Sequence, residues 1–307
     1  MDPTVSVVLP TYNREDVISR AIDSVINQSF SDLELLVVDD NSSDNTSELM
    51  SQYGDKVNYI CHDTNRGAPA ARNTGIEAAD GDFIAFIDSD DKWDCEKLER
   101  QVTRFRECSP QVGVVYTGYY VKHDGAVEIG EVPSKRGDLY KEQLKKDWIN
   151  PTSTVMVRSS CFDKVDGFNE DLSARQDYEL WIRISRDYDF DYIVDPLVTM
   201  YIENDNRITS NVEPRMEAHK QVLEYIQEDI NSLPWHERRK SFAVQYFTVG
   251  RFLQSHRRFK DAISYYLKSI MLYPLLWKTY IALVLSLLRR DTKSKLVITI
   301  KNITRTT

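Results

Sequence analysis

The sequence predicts a doubly wound α/β domain, a mostly parallel sheet flanked by helices, over roughly its first 110 residues. Short apolar runs, which are typical of buried strands, alternate with segments in which apolar residues recur at helical spacing. These segments are long enough to cross over between parallel strands. The chain has 307 residues, of which 41% are hydrophobic, and this is enough for a large core.

Four apolar runs predict the first four strands, at residues 5–9, 33–38, 57–61 and 83–87. Helical spacing predicts helices at residues 15–27, 46–52, 68–79 and 95–107. The first strand is not followed by a Gly-x-Gly-x-x-Gly loop, and the chain contains no P-loop sequence. The pattern therefore argues against a Rossmann dinucleotide site and against a P-loop nucleotidase.

The remainder of the chain divides into two parts of different character. Up to about residue 210 we expect strands at 112–120, 154–157, 192–194 and 197–202, a helix from Asp177 to Tyr188, and a loop over 126–150. Beyond it the sequence is helical. We therefore expect a first domain of residues 1–210 and a helical extension of residues 211–307. Within the extension, residues 246–274 keep the spacing of one tetratricopeptide repeat, although an ordinary helical hairpin fits equally well.

Carboxylates follow two predicted strands at the point where each strand ends. Asp39 and Asp40 follow the second strand, and Asp88, Asp90 and Asp91 follow the fourth. Open α/β sheets bind ligands at this edge. Two like charges ~4 Å apart cost about 4 kcal/mol at an effective dielectric constant near 20. A Mg²⁺ or Mn²⁺ ion would remove this cost, whereas the alternative is a solvated acidic turn.

Charge and cysteine content restrict the partners and the compartment. The net charge of −9 argues against nucleic acid as a partner. The four cysteines are scattered without a Cys-x-x-Cys pair, which favours a reducing compartment. The first residues lack the pattern of a secretory signal, so we expect a cytoplasmic protein.

The C-terminal segment combines an apolar stretch with a basic flank. Leu275–Leu288 is mainly apolar but shorter than the ~20 residues that span a bilayer. Residues 289–307 contain six basic residues and one acidic residue. This combination favours peripheral contact with an anionic membrane on its cytoplasmic face. A buried helix with a solvated basic end is the alternative.

Five segments, read together, resemble the inverting glycosyltransferases of family two, which have a GT-A fold. They are Val5–Asn13, Val37–Thr46, Asn65–Gly75, Phe86–Trp93 and Gln176–Arg183. They occur in the family's order within residues 4 to about 210, and this order makes the resemblance specific. The resemblance implies a nucleotide-sugar donor, a divalent metal and direct displacement at the anomeric carbon.

The resemblance also implies roles for individual residues in donor binding. Asp40 matches the aspartate that accepts a hydrogen bond from the donor's base, commonly uracil, although a turn aspartate is the alternative. Arg72 lies in a segment that borders the diphosphate, which a guanidinium suits. Arg207 lies in a loop that closes over the diphosphate in the family. The loop that frames the nucleotide is matched by Pro10, Thr11, Tyr12 and Asn13.

The remaining roles concern the metal and the proton. Asp90 is the expected metal ligand, and Asp88 is expected to bind the metal or the ribose. Ser89 lies between them and is assigned to the donor site, while Asp91 is expected to lie further out. Asp177 is the expected general base, although the family usually has Glu-Asp where this chain has Gln176-Asp177. A carboxylate that only stabilises the start of its helix is the alternative for Asp177.

The predicted function is metal-dependent, inverting transfer of one sugar, a hexosyltransferase reaction. A UDP-sugar is the favoured donor and a GDP-sugar the second candidate. The acceptor would be a glycan or lipid-linked saccharide, in protein glycosylation or surface polysaccharide assembly. The chain lacks the Gln-x-x-Arg-Trp motif of processive synthases, which favours single addition. A sugar-1-phosphate nucleotidyltransferase and a non-catalytic nucleotide-sugar-binding scaffold are the alternatives.

Overall fold

The computed structural model describes residues 4–202 and 212–289, which divide into two compact units. The described part of the first unit comprises residues 4–143 and 147–202, and that of the second comprises 144–146 and 212–289. The first unit contains a nine-stranded sheet within these residues, with apolar clusters on both faces. The second unit is helical.

The strands are β1 Val5–Thr11, β2 Leu33–Asp39, β3 Asn58–Cys61, β4 Phe83–Phe86, β5 Asp91–Trp93, β6 Val112–His123, β7 Ala126–Ile129, β8 Val155–Arg158 and β9 Asp189–Ile202. Their order across the sheet is β3-β2-β1-β4-β8-β6-β9-β5, with β7 paired to β6. The first four of this order are parallel, and the remaining part is mixed because β8 runs antiparallel to both of its neighbours. The parallel part brings the carboxyl ends of β2, β1 and β4 to one edge.

The helices of the first unit are α1 Ile18–Ile26, α2 Thr46–Ser51, α3 Ala68–Glu77, α4 Lys97–Glu107, α5 Tyr140–Gln143 and α6 Gln176–Ile184. Alternate residues of β1 serve the two faces of the sheet. Val7 packs in a cluster with α1 and α4, and Val8 packs in a cluster with α6. Continuous burial of β1 is what a strand covered on both faces requires.

Three details of the first unit differ from the expectation. The loop predicted over 126–150 was wrong, because it contains β7 and α5. β7 has only four residues, all exposed, and Glu128 interrupts its apolar residues, so the sequence does not mark it as a buried strand. The two short strands predicted at 192–202 are one strand, β9, whose register against β6 shifts beside Gly118. Short β5 begins at Asp91 and carries no apolar run, so it was not predicted.

The helices of the second unit are α7 Val212–Tyr225, α8 Gln227–Ser232, α9 Trp235–Ser255, α10 Phe259–Leu272 and α11 Trp277–Leu287. Val249 and Leu253 of α9 pack with Tyr266 of α10 and Ala282 of α11. A Cβ at Gly250 would lie 2.5 Å from the ring of Tyr266, so this helix pair requires a glycine there. Within the described ranges, none of the helices has both the length and the hydrophobicity to cross a bilayer.

Candidate active site

The predicted functional carboxylates lie at the carboxyl edge of the parallel strands. Asp40 follows β2 and Asp88 follows β4, while β1 lies between these two strands. The backbone N–H of Asp40 donates to the carbonyl of Thr11 at 2.9 Å, so the ends of β1 and β2 are joined directly. This edge is where open α/β sheets bind ligands.

Asp40 is 3% exposed, and most of its acceptor capacity is used within the protein. One carboxylate oxygen accepts the backbone N–H of Arg66 at 2.8 Å and lies 2.8 Å from Nδ1 of His62. The other oxygen accepts the backbone N–H of Gly67 at 2.7 Å. Since a carboxylate offers about four lone-pair positions, these contacts leave about one position for a further donor.

The loop that surrounds Asp40 is fixed to α3. Gly67 has a φ of +92°, a conformation that favours glycine, and it immediately precedes the first turn of α3 with Pro69. Nε2 of His62 lies 2.9 Å from the hydroxyl of Thr74 on α3. The chain of contacts from Asp40 through His62 to Thr74 therefore connects the end of β2 to this helix.

The end of β1 offers one free hydroxyl and one exposed ring. Pro10 and Thr11 are buried, whereas Tyr12 is 46% exposed. The hydroxyl oxygen of Thr11 is buried and has no hydrogen-bond partner among the residues that the structure describes. A buried hydroxyl without a partner is unusual in a folded protein, which makes the end of β1 a candidate ligand position.

Asn13 connects two loops at the edge of the site. Its φ is +50°, and its backbone N–H donates to the hydroxyl of Ser42 at 2.8 Å. Its side-chain oxygen accepts the backbone N–H of Ser43 at 2.8 Å. Asn13 therefore holds the loop after β2 against the loop after β1, which shapes the rim of the site.

Asp88 forms an ion pair with Arg72 of α3. A guanidinium nitrogen of Arg72 lies 2.7 Å from a carboxylate oxygen of Asp88, and the two side chains are 11% and 32% exposed. The guanidinium carbon lies 5.3 Å from the centre of the Phe168 ring. Nε of Arg72 is buried without a hydrogen-bond partner within the described ranges. The arginine thus has donor capacity left for an anion.

The residues after Asp88 are held from two sides. Ser89 is buried and Asp90 half-buried. The carbonyl of Asp90 accepts a guanidinium N–H of Arg20 at 2.7 Å. Asp91 is 1% exposed, and its carboxylate accepts the hydroxyl of Ser153 at 2.5 Å. Asp88 and Asp90 therefore lie nearer the solvent than Asp91.

Asp177 lies in the first turn of α6 and is half-buried. One carboxylate oxygen accepts the backbone N–H of Tyr178 at 2.8 Å, and the other accepts the hydroxyl of Thr152 at 3.3 Å. Ser153 follows Thr152 in the chain, and its hydroxyl accepts the backbone N–H of Asp88 at 3.0 Å. Two adjacent residues therefore bring Asp177 and Asp88 to the same site.

The carboxylates of this site would supply only part of the ligands of a divalent metal. No group of three or more His, Cys, Asp or Glu residues within 4–202 and 212–289 is arranged to hold a metal ion. Asp88 and Asp90 nevertheless offer hard carboxylate oxygens near the solvent. Mg²⁺ is commonly held by one or two carboxylates together with substrate phosphates, so the residues present fit such an ion.

Several site residues could not be read from the sequence. His62, Thr152 and Ser153 contact the predicted carboxylates, yet no spacing rule connects them to positions so distant in the chain. Trp181 on α6 is fully buried and packs edge-to-face on Phe168. Arg207 lies outside the described residues.

Residues 6–165 match the family described as Glycosyl transferase family 2. The chain is 33% identical over 187 residues to UDP-Glc:alpha-D-GlcNAc-diphosphoundecaprenol beta-1,3-glucosyltransferase WfgD of Escherichia coli, covering 61% of this chain and 71% of WfgD. It is 31% identical over 212 residues to the putative teichuronic acid biosynthesis glycosyltransferase TuaG of Bacillus subtilis (strain 168), covering 68% of this chain and 82% of TuaG.

Two solved structures have a similar fold. S. aureus TarS 1-349 superposes with a TM-score of 0.63 at 21% identity, covering 94% of this chain and 85% of TarS 1-349. The mannosyltransferase PcManGT from Pyrobaculum calidifontis, in complex with GDP-Man and Mn²⁺, also gives 0.63, at 18% identity over 98% of this chain and 84% of PcManGT. These likenesses confirm the predicted GT-A-type α/β fold with C-terminal helices.

The relatives are glycosyltransferases, which confirms the predicted enzyme class over the nucleotidyltransferase and scaffold alternatives. The family match extends over more than half of the chain, from the first strand to beyond β8. TuaG, at 31% identity, is matched over 82% of its own length. The chain therefore belongs to glycosyl transferase family 2.

Proposed function

We propose that the protein transfers one sugar from a nucleotide-diphosphate sugar to a hydroxyl of a lipid-linked saccharide, with inversion and with Mg²⁺ or Mn²⁺. The observation that carries this proposal is the grouping of Asp40, Asp88 and Asp177 at one edge of the sheet. Thr152 and Ser153 connect Asp177 to Asp88, Arg72 connects Asp88 to α3, and the backbone just before α3 holds Asp40. In this proposal residues 1–210 form the transferase domain, and residues 211–307 form a helical extension.

The nucleotide would bind between Asp40 and the end of β1. The remaining acceptor position of Asp40 suits an N–H of the base, and the unpaired hydroxyl of Thr11 suits a base or ribose oxygen. The exposed ring of Tyr12 offers a surface for stacking. A UDP-sugar is the favoured donor, since uracil presents both an N–H and carbonyl oxygens on one edge.

The diphosphate would bind between Arg72 and the carboxylates that follow β4. Arg72 has an unpaired Nε and pairs with Asp88 through another nitrogen. Asp90 and Asp88 would hold the metal, which when bound neutralises charge on the departing nucleoside diphosphate. We assign Arg207 to the same phosphates on the basis of its position in the family resemblance.

Asp177 would take the proton from the acceptor hydroxyl. Its carboxylate is half-buried, and the N–H of Tyr178 and the hydroxyl of Thr152 orient it. Removing the proton as the hydroxyl attacks the anomeric carbon is the usual task of a positioned carboxylate in a direct displacement. One displacement inverts the anomeric configuration.

The names of the relatives support the substrate classes. WfgD is named for transfer from UDP-Glc to a GlcNAc-diphosphoundecaprenol, and TuaG for teichuronic acid biosynthesis. TarS 1-349 has been solved with UDP-GlcNAc, and PcManGT with GDP-Man and Mn²⁺. These names favour a UDP-sugar and a lipid-diphosphate acceptor, with a GDP-sugar as the second donor candidate.

Contact with the cytoplasmic face of the cell membrane would bring the enzyme to such an acceptor. Residues on one side of α11 and at its end are 42–63% exposed, namely Trp277, Tyr280, Val284, Leu287 and Leu288. Their spacing of three and four positions forms one apolar stripe on the helix. The basic sequence from residue 289 onward would add attraction to anionic lipids.

The test is a panel of UDP- and GDP-sugars with Mn²⁺ and undecaprenyl-diphosphate saccharides as acceptors, with product analysed by mass. We expect turnover with one donor, and its loss in Asp90→Ala and Asp177→Ala. Asp163→Ala, at an exposed position outside the site, is the matched control. Parental turnover in both site variants would contradict the proposal.

A further inference from the structure

One turn contacts both the proposed base, Asp177, and the proposed donor-binding segment that begins at Asp88. Residues Thr152–Thr154 form a short 3-10 turn in which Thr152 is 5% exposed and the other two are fully buried. The hydroxyl of Thr152 donates to Asp177 at 3.3 Å. The hydroxyl of Ser153 donates to Asp91 at 2.5 Å and accepts the backbone N–H of Asp88 at 3.0 Å.

The backbone of this turn is itself anchored in the core. The carbonyl of Ser153 accepts the indole N–H of Trp93 at 2.9 Å. The carbonyl of Thr154 accepts the side-chain amide of Gln101 at 3.1 Å, and the same amide donates to Val115 on β6 at 2.7 Å. Because these carbonyls are fixed, the hydroxyls of Thr152 and Ser153 have defined directions.

We propose that Thr152 and Ser153 are positioning residues that set the placement of the base Asp177 relative to the donor-binding residues Asp88 to Asp91. This inference rests on the proposed function. Thr152 acts through Asp177 and thus on the acceptor side, whereas Ser153 acts through the backbone of Asp88 and the carboxylate of Asp91 and thus on the donor side.

Direct displacement is sensitive to such placement. The acceptor oxygen and the anomeric carbon must approach to about 3–3.5 Å with the correct alignment, and a misplacement of about 1 Å can cost about 100-fold in rate. A turn that holds both partners through adjacent residues limits their relative movement. Loss of the Thr152 hydroxyl and loss of the Ser153 hydroxyl should therefore affect different kinetic constants.

The two residues have separate expected signatures. Thr152→Val, which removes the hydroxyl and keeps the shape, should lower kcat by about 10- to 100-fold and leave the KM for the donor unchanged. Thr152→Ser, which keeps the hydroxyl, should restore kcat. Ser153→Ala should instead weaken binding of the donor's nucleoside diphosphate about tenfold, because a hydrogen bond to a charged group is lost. The probe is UDP with Mn²⁺, or GDP if the panel selects a GDP-sugar.

Thr154→Val is the matched control. Thr154 belongs to the same buried turn, but its hydroxyl donates to the carbonyl of Pro151 at 2.7 Å and contacts neither carboxylate. It should leave kcat and nucleotide binding as in the parent, and thermal unfolding should show that all four variants are folded.

The outcomes separate this inference from the proposed function. Parental turnover by Asp177→Asn would overturn both. An inactive Asp177→Asn together with a parental kcat in Thr152→Val would overturn only the positioning role of Thr152. Equal losses of kcat in Thr152→Val, Thr152→Ser and Thr154→Val would show that the turn serves folding alone. This result would also overturn the positioning role of Thr152.

Discussion

A guanidinium nitrogen of Arg72 lies 2.7 Å from a carboxylate oxygen of Asp88, and both side chains are more than half withdrawn from solvent. This ion pair joins α3 to the end of β4. It brings together two segments that lie 16 positions apart in the chain. The pair also offsets part of the charge of Asp88, and Nε of Arg72 has no hydrogen-bond partner in the part of the chain that the structure describes.

Replacing Arg72 should weaken use of the donor. In the proposed complex, Arg72→Met removes a charged hydrogen-bond partner of the donor's phosphates, an effect of about 1.5–3 kcal/mol. This corresponds to a loss of about 10- to 100-fold in kcat/KM for the donor. Arg72→Lys should be intermediate because it keeps the charge but not the two-pronged geometry. Steady-state kinetics with varied donor give the measurement.

Arg100→Ala is the control for the loss of an arginine. Arg100 pairs with Asp195 outside the site, and both side chains are at least one-third exposed. Exposed ion pairs contribute about 0–1 kcal/mol, so its kinetics should match those of the parent. An unchanged kcat/KM in Arg72→Met would contradict the assignment of Arg72 to the donor's phosphates.

Asp40→Asn should destabilise the protein and weaken nucleotide binding. The backbone N–H groups of Arg66 and Gly67 donate to different oxygens of the carboxylate. Asparagine puts an NH2 group in place of one of these oxygens, so one of the two N–H groups loses its acceptor. A buried donor left unsatisfied costs about 1–3 kcal/mol. Urea unfolding and calorimetric titration with UDP measure the two effects. Exposed Asp63→Asn is the comparison, and equal behaviour of the two variants would rule out this role for Asp40.

Lys97 should make stability depend on alkaline pH. It is fully buried, its Nζ donates to Gln101 at 2.7 Å, and desolvation lowers its pKa well below the usual value. The unfolded chain, with a lysine pKa of about 10.4, therefore binds more protons than the folded chain at pH values between the lowered pKa of the folded state and about 10. Over that pH range the stability of the parent relative to Lys97→Met should rise with pH, and above about pH 10 it should level off. Urea unfolding of both proteins at each pH gives the difference, and a constant difference would contradict the pKa shift.

Removing the apolar stripe of α11 should reduce membrane binding. The variant Trp277→Ser/Val284→Ser/Leu287→Ser removes three exposed apolar side chains, each of which would contribute up to about 1.5–3 kcal/mol if buried in lipid. Cosedimentation with vesicles that contain anionic lipid should fall about tenfold or more. Val127→Ser/Ile129→Ser, at exposed positions of β7, is the control. Equal sedimentation of the stripe variant and the parent would exclude this surface as the membrane contact.

The sequence predicted those parts of the fold and the site that have a local signal. Apolar runs located β1 to β4, and the carboxylates that end β2 and β4 therefore fell at one edge of the sheet. β7 is a four-residue exposed strand whose apolar residues are interrupted by Glu128, so it does not resemble a buried strand. Asp91 opens a strand that an acidic cluster does not suggest. Asp195 and Pro196 looked like a break between two strands, but a register shift beside Gly118 absorbs them within β9.

The polar contacts that hold the site could not be predicted, for a physical reason. The bond from Ser153 to Asp91 spans 62 positions, and the contact between His62 and Asp40 spans 22. Short polar side chains leave no periodic pattern, because each is fixed by the fold around it. The sequence therefore indicated the candidate carboxylates, whereas the structure shows which groups orient them.

The anomeric configuration of the product tests the central proposal most directly. The donor selected by the panel, with an α-linked sugar, is incubated with Mn²⁺, acceptor and enzyme, and the coupling constant of the new anomeric proton is read by NMR. Direct displacement assisted by Asp177 predicts a β-linked product, and loss of this product in Asp177→Asn. An α-linked product, or a β-linked product formed at the parental rate by Asp177→Asn, would contradict the account.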